Sequence, residues 1–460
     1  MPTNTDTHGQ RRVIGALDAF SIVAGSMLGI GIFLSPPIVA QYTTGPWAFI
    51  AMWLLGGLVA LAGAVACAEL GTMMPRAGGD YIFQYEAYGP SVAFASGCVL
   101  FGAIFCGSIA TLSVGLATYQ LPALFGLDLA GTSITLPWGF QITGVQIAAL
   151  LIVAAVTLLN VFGASVSART QTIVTIVPMI CFAALAMVAL IFAQPVASFE
   201  AQVARPLKAT SRDLAVAYSA VYFAYSGWLN IVYVAGEVID PSRNIPRALL
   251  GGTLLITALY ALLCGGFLAA LGIDGVAAAG EAGTKMATVL MGSTGGTAMA
   301  FLVACALAGC INGTALGGAR VAYAMAHHGV FWANLGKVTT PRNVPANALW
   351  LQGVLSALLI LSGRFEQLYT MVSLAMVVTG TLTVGSVFVL RRTKPHAERP
   401  YMAAGYPWLP GFYVIASLAV IVVMVTAAIS GQPQAWQPLL GVGILIAAYV
   451  GHRLCIGNER

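Results

Sequence analysis

The sequence predicts an all-α membrane protein of twelve transmembrane helices, and three observations carry that prediction. Of its 460 residues 59% are hydrophobic and only 8% charged, with a mean hydropathy of +0.89; a soluble domain carries roughly 25% charged residues. Twelve apolar runs are each long enough to cross a bilayer, which takes about 20 residues. The basic residues between the runs show a strong side preference.

The runs fall at 14–39, 46–70, 91–120, 142–162, 171–194, 213–239, 246–271, 286–319, 346–363, 367–390, 407–430 and 435–454. With the N-terminus in the cytoplasm, only Arg205, Lys208, Arg212, Lys285 and Arg364 of the 20 lysines and arginines face outward, and the other fifteen face inward. An odd number of spans destroys that bias, so both termini are expected on the cytoplasmic side of the inner membrane. The polar opening MPTNTDTHGQRR and the long, glycine-punctuated run after it do not read as a cleaved signal. The expected organisation is a tail (1–13), a block of spans one to five (14–194), a block of spans six to ten (195–391), spans eleven and twelve (392–454) and a tail (455–460).

Composition also excludes. The net charge is +5, and no basic patch with interleaved aromatics is present, so nucleic acid is not an expected partner. Cys67, Cys98, Cys106, Cys181, Cys264, Cys305, Cys310 and Cys455 lie in or beside apolar runs without ligand spacing, and they read as small apolar fillers. No metal and no cofactor is expected. An intramembrane enzyme needs a nucleophile with its base or a metal cluster, and a channel needs a continuous polar path; neither pattern is found.

Spans one and six carry their own interruption. Span one has three glycines in seven residues, Gly25, Gly29 and Gly31, near the midplane, and span six has Ser226, Gly227 and Trp228 at its centre. Glycine weakens a helix by roughly 1 kcal/mol relative to alanine. A single such stretch reads as a close helix crossing. Paired interruptions in the first spans of two successive five-span blocks point instead to broken helices meeting at a transporter's binding site. The outer half of span one begins near Gly31 and turns free N–H groups toward the midplane, which suits a carboxylate. The outer half of span six ends near Ala224 and Tyr225 with free carbonyls, which suits an ammonium. Together they describe the main-chain end of an α-amino acid.

At these residues the sequence resembles the amino acid–polyamine–organocation superfamily of secondary transporters, and within it the bacterial permeases akin to L-type amino acid transporters. Four segments carry the resemblance: GSMLGIGIF (25–33), MPRAGGDYIFQYEAYGP (74–90), FAYSGW with GEVIDPSRNIPRAL (223–228, 236–249), and RVAYAMAHHGVFW with RNVPANAL (320–332, 342–349). The resemblance implies a LeuT-type core of five-plus-five inverted repeats in spans one to ten, two additional helices and alternating access.

It also implies roles. Within the segment that begins Gly25, Ser26, the residues Gly29, Ile30 and Gly31 match the backbone that holds the substrate carboxylate; Ile30 stands where relatives often carry a hydroxyl or alanine. Phe223 matches the aromatic that closes over substrate, and Ala224, Tyr225 and Ser226, followed by Gly227, match the segment receiving the amino group. Thr314 matches a side-chain pocket position, and Gly102, Cys106, Asn312 and Gly313 are further lining candidates. In span five Arg169 and Gln171 are present, but Pro178 stands near the position of the lysine that many relatives place at the site of a sodium ion. The coupling ion therefore stays open between proton, sodium and none.

Asp18, Glu69 and Glu237 sit at the inner ends of their spans, where water, Arg76, Arg243 or Arg247 can satisfy them; intracellular gate salt bridges are the favoured reading and proton relays the alternative. The expected gating residues are Phe223, Arg76, Glu237 and Arg243. With no acid expected near the pocket, a cationic side chain has no counter-charge there, which favours neutral amino acids. His327 and His328 read as a surface loop pair. The outer loop between spans three and four has no cysteine, so no disulfide-linked heavy-chain partner is expected. The expected function is transport of a neutral L-amino acid, as exchanger or ion-coupled symporter. The alternatives are another amine or organocation, such as a cationic amino acid or polyamine, and a non-transporting sensor, which the lack of a soluble effector domain disfavours.

Overall fold

In lipid every backbone N–H and C=O needs a partner within the protein, and a helix supplies it locally. The computed structural model describes residues 12–135, 141–192, 211–339, 344–362, 365–429 and 437–457, and these are predominantly helical. In chain order the helices are α1 (Ala16–Met27), α2 (Gly31–Tyr42), α3 (Pro46–Met73), α4 (Asp80–Tyr88), α5 (Pro90–Phe125), α6 (Gly144–Val161), α7 (Ala164–Phe192), α8 (Ser211–Ala224), α9 (Asn230–Tyr233), α10 (Pro241–Ala277), α11 (Ala282–His327), α12 (Ala346–Ser362), α13 (Phe365–Thr393), α14 (Trp408–Ile429) and α15 (Gln437–Gly457). Nine helical stretches among the described residues are long and apolar enough to cross a membrane, counting Ala16–Tyr42 as one; Ala346–Ser362 and Gly441–Leu454 are shorter apolar helices. The protein is a multi-pass membrane protein.

Two interruptions fall in the runs where the sequence places them. The first run breaks at Leu28–Ile30, and the sixth is not continuous: α8 stops at Ala224, a turn covers 225–229, and α9 and a 3-10 turn (Ala235–Glu237) follow. The long α10 and α11 each contain one non-helical glycine, Gly272 (φ 66°) and Gly292 (φ 71°). The later glycines of the eighth run, Gly295, Gly296, Gly309, Gly313, Gly317 and Gly318, remain helical; a Cβ on Gly318 would lie 2.7 Å from Phe105 Cβ. The loop after α3 contains a helix of its own, α4, and between α5 and α6 lies an antiparallel strand pair, β1 (Ser133–Thr135) with β2 (Gln141–Thr143).

Packing puts the broken helix in the middle. In the most apolar 18-residue window of Ala16–Tyr42, 89% of the residues are buried, against 22% in the corresponding windows of α6 and Trp408–Thr426. On α7, Ile173, Val177 and Ile180 are exposed apolar side chains that lipid, not water, must cover. Around α1 and α2 pack α7, α8, α10 and α11.

Candidate functional site

The site is built where two interrupted helices touch. α1 ends at Met27, and Leu28 leaves helical geometry (ψ 63°). α2 restarts at Gly31, and its first intrahelical bonds are donated by the N–H groups of Phe33 and Leu34 to Ile30 O, at 3.1 and 3.0 Å. The N–H groups of Ile30, Gly31 and Ile32 precede that ladder, as at any helix start, and carry the positive end of the α2 dipole. Across from them α8 ends at Ala224, with a buried carbonyl.

Glycine is required at both contacts. A Cβ on Gly31 would lie 2.5 Å from Ala224 Cα, and one on Gly227, whose φ is +103°, would lie 2.4 Å from Ser26 O. The two unwound backbones are therefore in direct contact. Tyr260 of α10 bridges them: its hydroxyl reaches Met27 O and lies 3.1 Å from Ala224 O. One hydroxyl proton serves one carbonyl at a time, which leaves the other an available acceptor. The Cys310 thiol donates to Ser26 O at 3.1 Å, while Ser26 Oγ is buried without a partner among the described residues.

A cavity of about 110 Å³ opens beside this contact, enough for several waters or one small zwitterion, since a single water occupies roughly 10–15 Å³ by the same measure. Ser26, Gly29, Ile30, Gly31, residues 223–227 and Thr314 all line it. Gly25 does not; a Cβ there would lie 2.1 Å from Thr175 Oγ1 and 2.2 Å from Gln171 Nε2. From α5 the lining residues are Leu100, Ile104, Phe105, Ser108 and Leu112, and not Gly102 or Cys106. Gly313 packs on Ser26 Oγ, and Asn312 is committed elsewhere. Its amide binds Ser167 O, Gln171 Oε1, Asn160 Nδ2 and Ser167 Oγ at 2.9–3.1 Å. On α7 Gln171 and Thr175 face α1, with Thr175 Oγ1 3.5 Å from Ser21 O. Uncharged groups fill that place.

The inner end is pinned differently from expectation. Glu237 pairs with Arg320 of α11, at 2.9 and 3.3 Å and with both side chains buried, instead of with Arg243 or Arg247, which are exposed. The Glu237 carbonyl also accepts the N–H groups of Val13 and Ile14 at 2.8 and 2.9 Å. Glu69 is held by Arg391 (2.6 Å), Arg399 (3.2 Å) and the Ala403 N–H (2.7 Å), while Arg76 is exposed and 4.0 Å from Glu86. Asp18 accepts from Thr172 Oγ1 at 2.8 Å. The arginines close in sequence stay exposed, and the bonded ones come from distant parts of the chain: Arg320 from α11, Arg391 from the end of α13 and Arg399 from the loop after it. The histidines are more than a surface pair: His328 Nδ1 lies 3.0 Å from Tyr81 Oη, and His327 Nδ1 3.1 Å from Tyr323 O.

One finding overturns an expectation about charge. An acid does line the cavity: Asp80, at the start of α4, is 1% exposed, and its Oδ1 has no hydrogen-bond partner among the described residues. In the sequence it is the aspartate of the GGD run within 74–90, one of the segments that carry the resemblance. Tyr260 and the Asn312 network gave no comparable signal.

Comparison with known proteins identifies the family. The amino acid permease family matches residues 14–449. The chain is 28% identical to the serine/threonine exchanger SteT of Bacillus subtilis, over 91% of this chain and 92% of that one. It is 25% identical to the mouse b(0,+)-type amino acid transporter 1 (99% and 90% covered), and 25% to the rabbit large neutral amino acids transporter small subunit 2 (85% and 72%). Matched over nearly its whole length, this helical membrane chain belongs to the amino acid permease family: it is a membrane transporter and not an enzyme.

Proposed function

We propose that the protein moves a small neutral L-amino acid across the cytoplasmic membrane by alternating access, with both termini in the cytoplasm. In this reading the substrate carboxylate takes the N–H groups of Ile30, Gly31 and Ile32, and its ammonium takes whichever of the Met27 and Ala224 carbonyls Tyr260 leaves free. The observation that carries it is the contact between Gly31 and Ala224, which holds donors and acceptors a few ångströms apart over a small cavity. Its size favours side chains as small as those of serine and threonine, the amino acids after which the Bacillus subtilis exchanger is named.

The architecture we infer is twelve spans, with inverted repeats at 14–194 and 195–391 and two further helices in 392–454. Phe223 is half-buried between the main cavity and a small neighbouring one, a position suited to closing over substrate. The Glu237–Arg320 pair serves as inner lock, and no disulfide-linked partner is needed.

The test is uptake of radiolabelled amino acids and polyamines into proteoliposomes, with and without internal unlabelled substrate and with imposed proton or sodium gradients. Uptake of serine or threonine that depends on internal substrate is expected of an exchanger, and dependence on a gradient of a symporter. Uptake of polyamines or lysine alone overturns the neutral assignment.

A further inference from the structure

Asp80 is unlike every other buried acid described above. Glu237 and Glu69 have arginines; Asp80 has none among the described residues. Its titratable neighbours are Tyr233 on α9, Tyr222 on α8, Tyr413 on α14 and Cys67 on α3, all neutral near pH 7, and the hydroxyls of Tyr233 and Thr383 face its carboxyl. Gln84, one turn along α4, is turned away toward Thr379 O and Thr383 Oγ1. An unpaired carboxylate at such a depth carries a large desolvation cost, which the group escapes by taking a proton.

We propose that Asp80 is a proton-binding site at the wall of the substrate cavity, and that it takes up a proton when substrate binds. The proton comes from the aqueous phase and ends on the unpartnered Oδ1, turning the carboxylate into a neutral acid. The link is physical: a neutral side chain that displaces cavity water removes solvent from beside the carboxyl, which favours the uncharged form. Burial already pushes the carboxyl up to about 7, against the lowering by Tyr233 and Thr383, so both forms are accessible near neutral pH. This rests on the proposed reading of the cavity as an amino acid site, and it answers the coupling question that the uncharged Gln171 and Thr175 leave standing: the ion is a proton.

The test uses purified protein in detergent with L-threonine as probe. Wild type is expected to take up protons from a weakly buffered solution on adding saturating L-threonine near pH 7.5. Its affinity is expected to fall above pH 7, by at most tenfold per pH unit for a single proton, and Asp80→Asn to lose both effects. A flat wild-type profile from pH 5.5 to 8.5, or an Asp80→Asn profile like wild type, overturns the proposal. So does affinity that rises with pH, which marks a carboxylate pairing directly with a substrate cation.

If no amino acid binds a monodisperse preparation, the transport reading fails on its own, and the proton site is judged by infrared difference spectra of the ligand-free protein between pH 5.5 and 8.5. A protonated-carboxyl band absent from Asp80→Asn supports the proton site, and no such band overturns it. Should Asp80→Asn fail to fold, Tyr233→Phe replaces it. Removing a hydroxyl that lowers the carboxyl's proton affinity is expected to move the titration midpoint upward, and an unmoved midpoint counts against the assignment.

Discussion

Gly29 and Gly31 belong to one motif, two residues apart, yet the structure assigns them opposite tolerances. A Cβ on Gly31 would sit 2.5 Å from Ala224 Cα and 2.9 Å from Ala224 Cβ, where carbon atoms prefer 3.5–4.0 Å. Neither atom can rotate away, so Gly31→Ala must part the two unwound segments by about 1 Å. Overpacking of this kind costs roughly 1–3 kcal/mol, and when it falls on the bound geometry it weakens affinity by about 5- to 150-fold. A Cβ on Gly29 meets only Cys310 Sγ closely, at 3.0 Å, with the next atom at 3.7 Å; a thiol can turn aside. Gly29→Ala is therefore expected to weaken binding by less than about fivefold, and Gly29→Ala with Cys310→Ala to recover most of that. The assay is equilibrium binding of radiolabelled threonine to protein that elutes as a single species. Equal losses in the two single variants, or a Gly31→Ala protein of wild-type affinity, refute the contact between the broken helices as the basis of the site.

Other perturbations follow from the same coordinates. Glu237→Gln strands a buried guanidinium and is expected to cost about 3–5 kcal/mol, read as a lower thermal midpoint in detergent; Glu237→Gln with Arg320→Met recovers most of the loss, and strict additivity contradicts the pairing. Tyr260→Phe removes the hydroxyl shared by Met27 O and Ala224 O, and a hydrogen bond's net worth of roughly 0.5–1.5 kcal/mol sets the expected loss of affinity at about 2- to 13-fold; unchanged binding counts against the bridge. Asn312→Leu leaves the Asn160, Ser167 and Gln171 side chains short of partners, at about 1–3 kcal/mol for each group left unsatisfied, again measured as thermal midpoint. For Asp80, the folded carboxyl holds its proton up to about pH 7 while the unfolded one releases it near 3.8. The native state therefore binds more protons between those values, and wild-type stability falls as pH rises through that window. Asp80→Asn is expected to be the more stable protein at pH 8, by on the order of 4 kcal/mol, with the difference gone below pH 4.

The sequence alone determined the solvent and the class. A chain with 8% charge cannot cover itself with polar surface, and the apolar run lengths fix helices because lipid offers the backbone no other partner. It also determined where two helices break, because glycine clusters at Gly25–Gly31 and Ser226–Gly227 act through local backbone preference, which sequence encodes directly. Residue-level partners were not legible. Arg320 is 83 positions from Glu237, Arg391 is 322 from Glu69 and Tyr260 is 233 from Met27; such pairings depend on which helix faces which, and a helix that is apolar all round does not announce its facing side. Hence Gly25, Gly102 and Cys106 read as lining residues and are not. The clearest case is Asp80. In the chain it sits in a polar loop beside two glycines, where a carboxylate is unremarkable. Only the tertiary packing of α3, α8, α9, α13 and α14 around it turns that loop inward, removes its water and makes its charge a matter of pH.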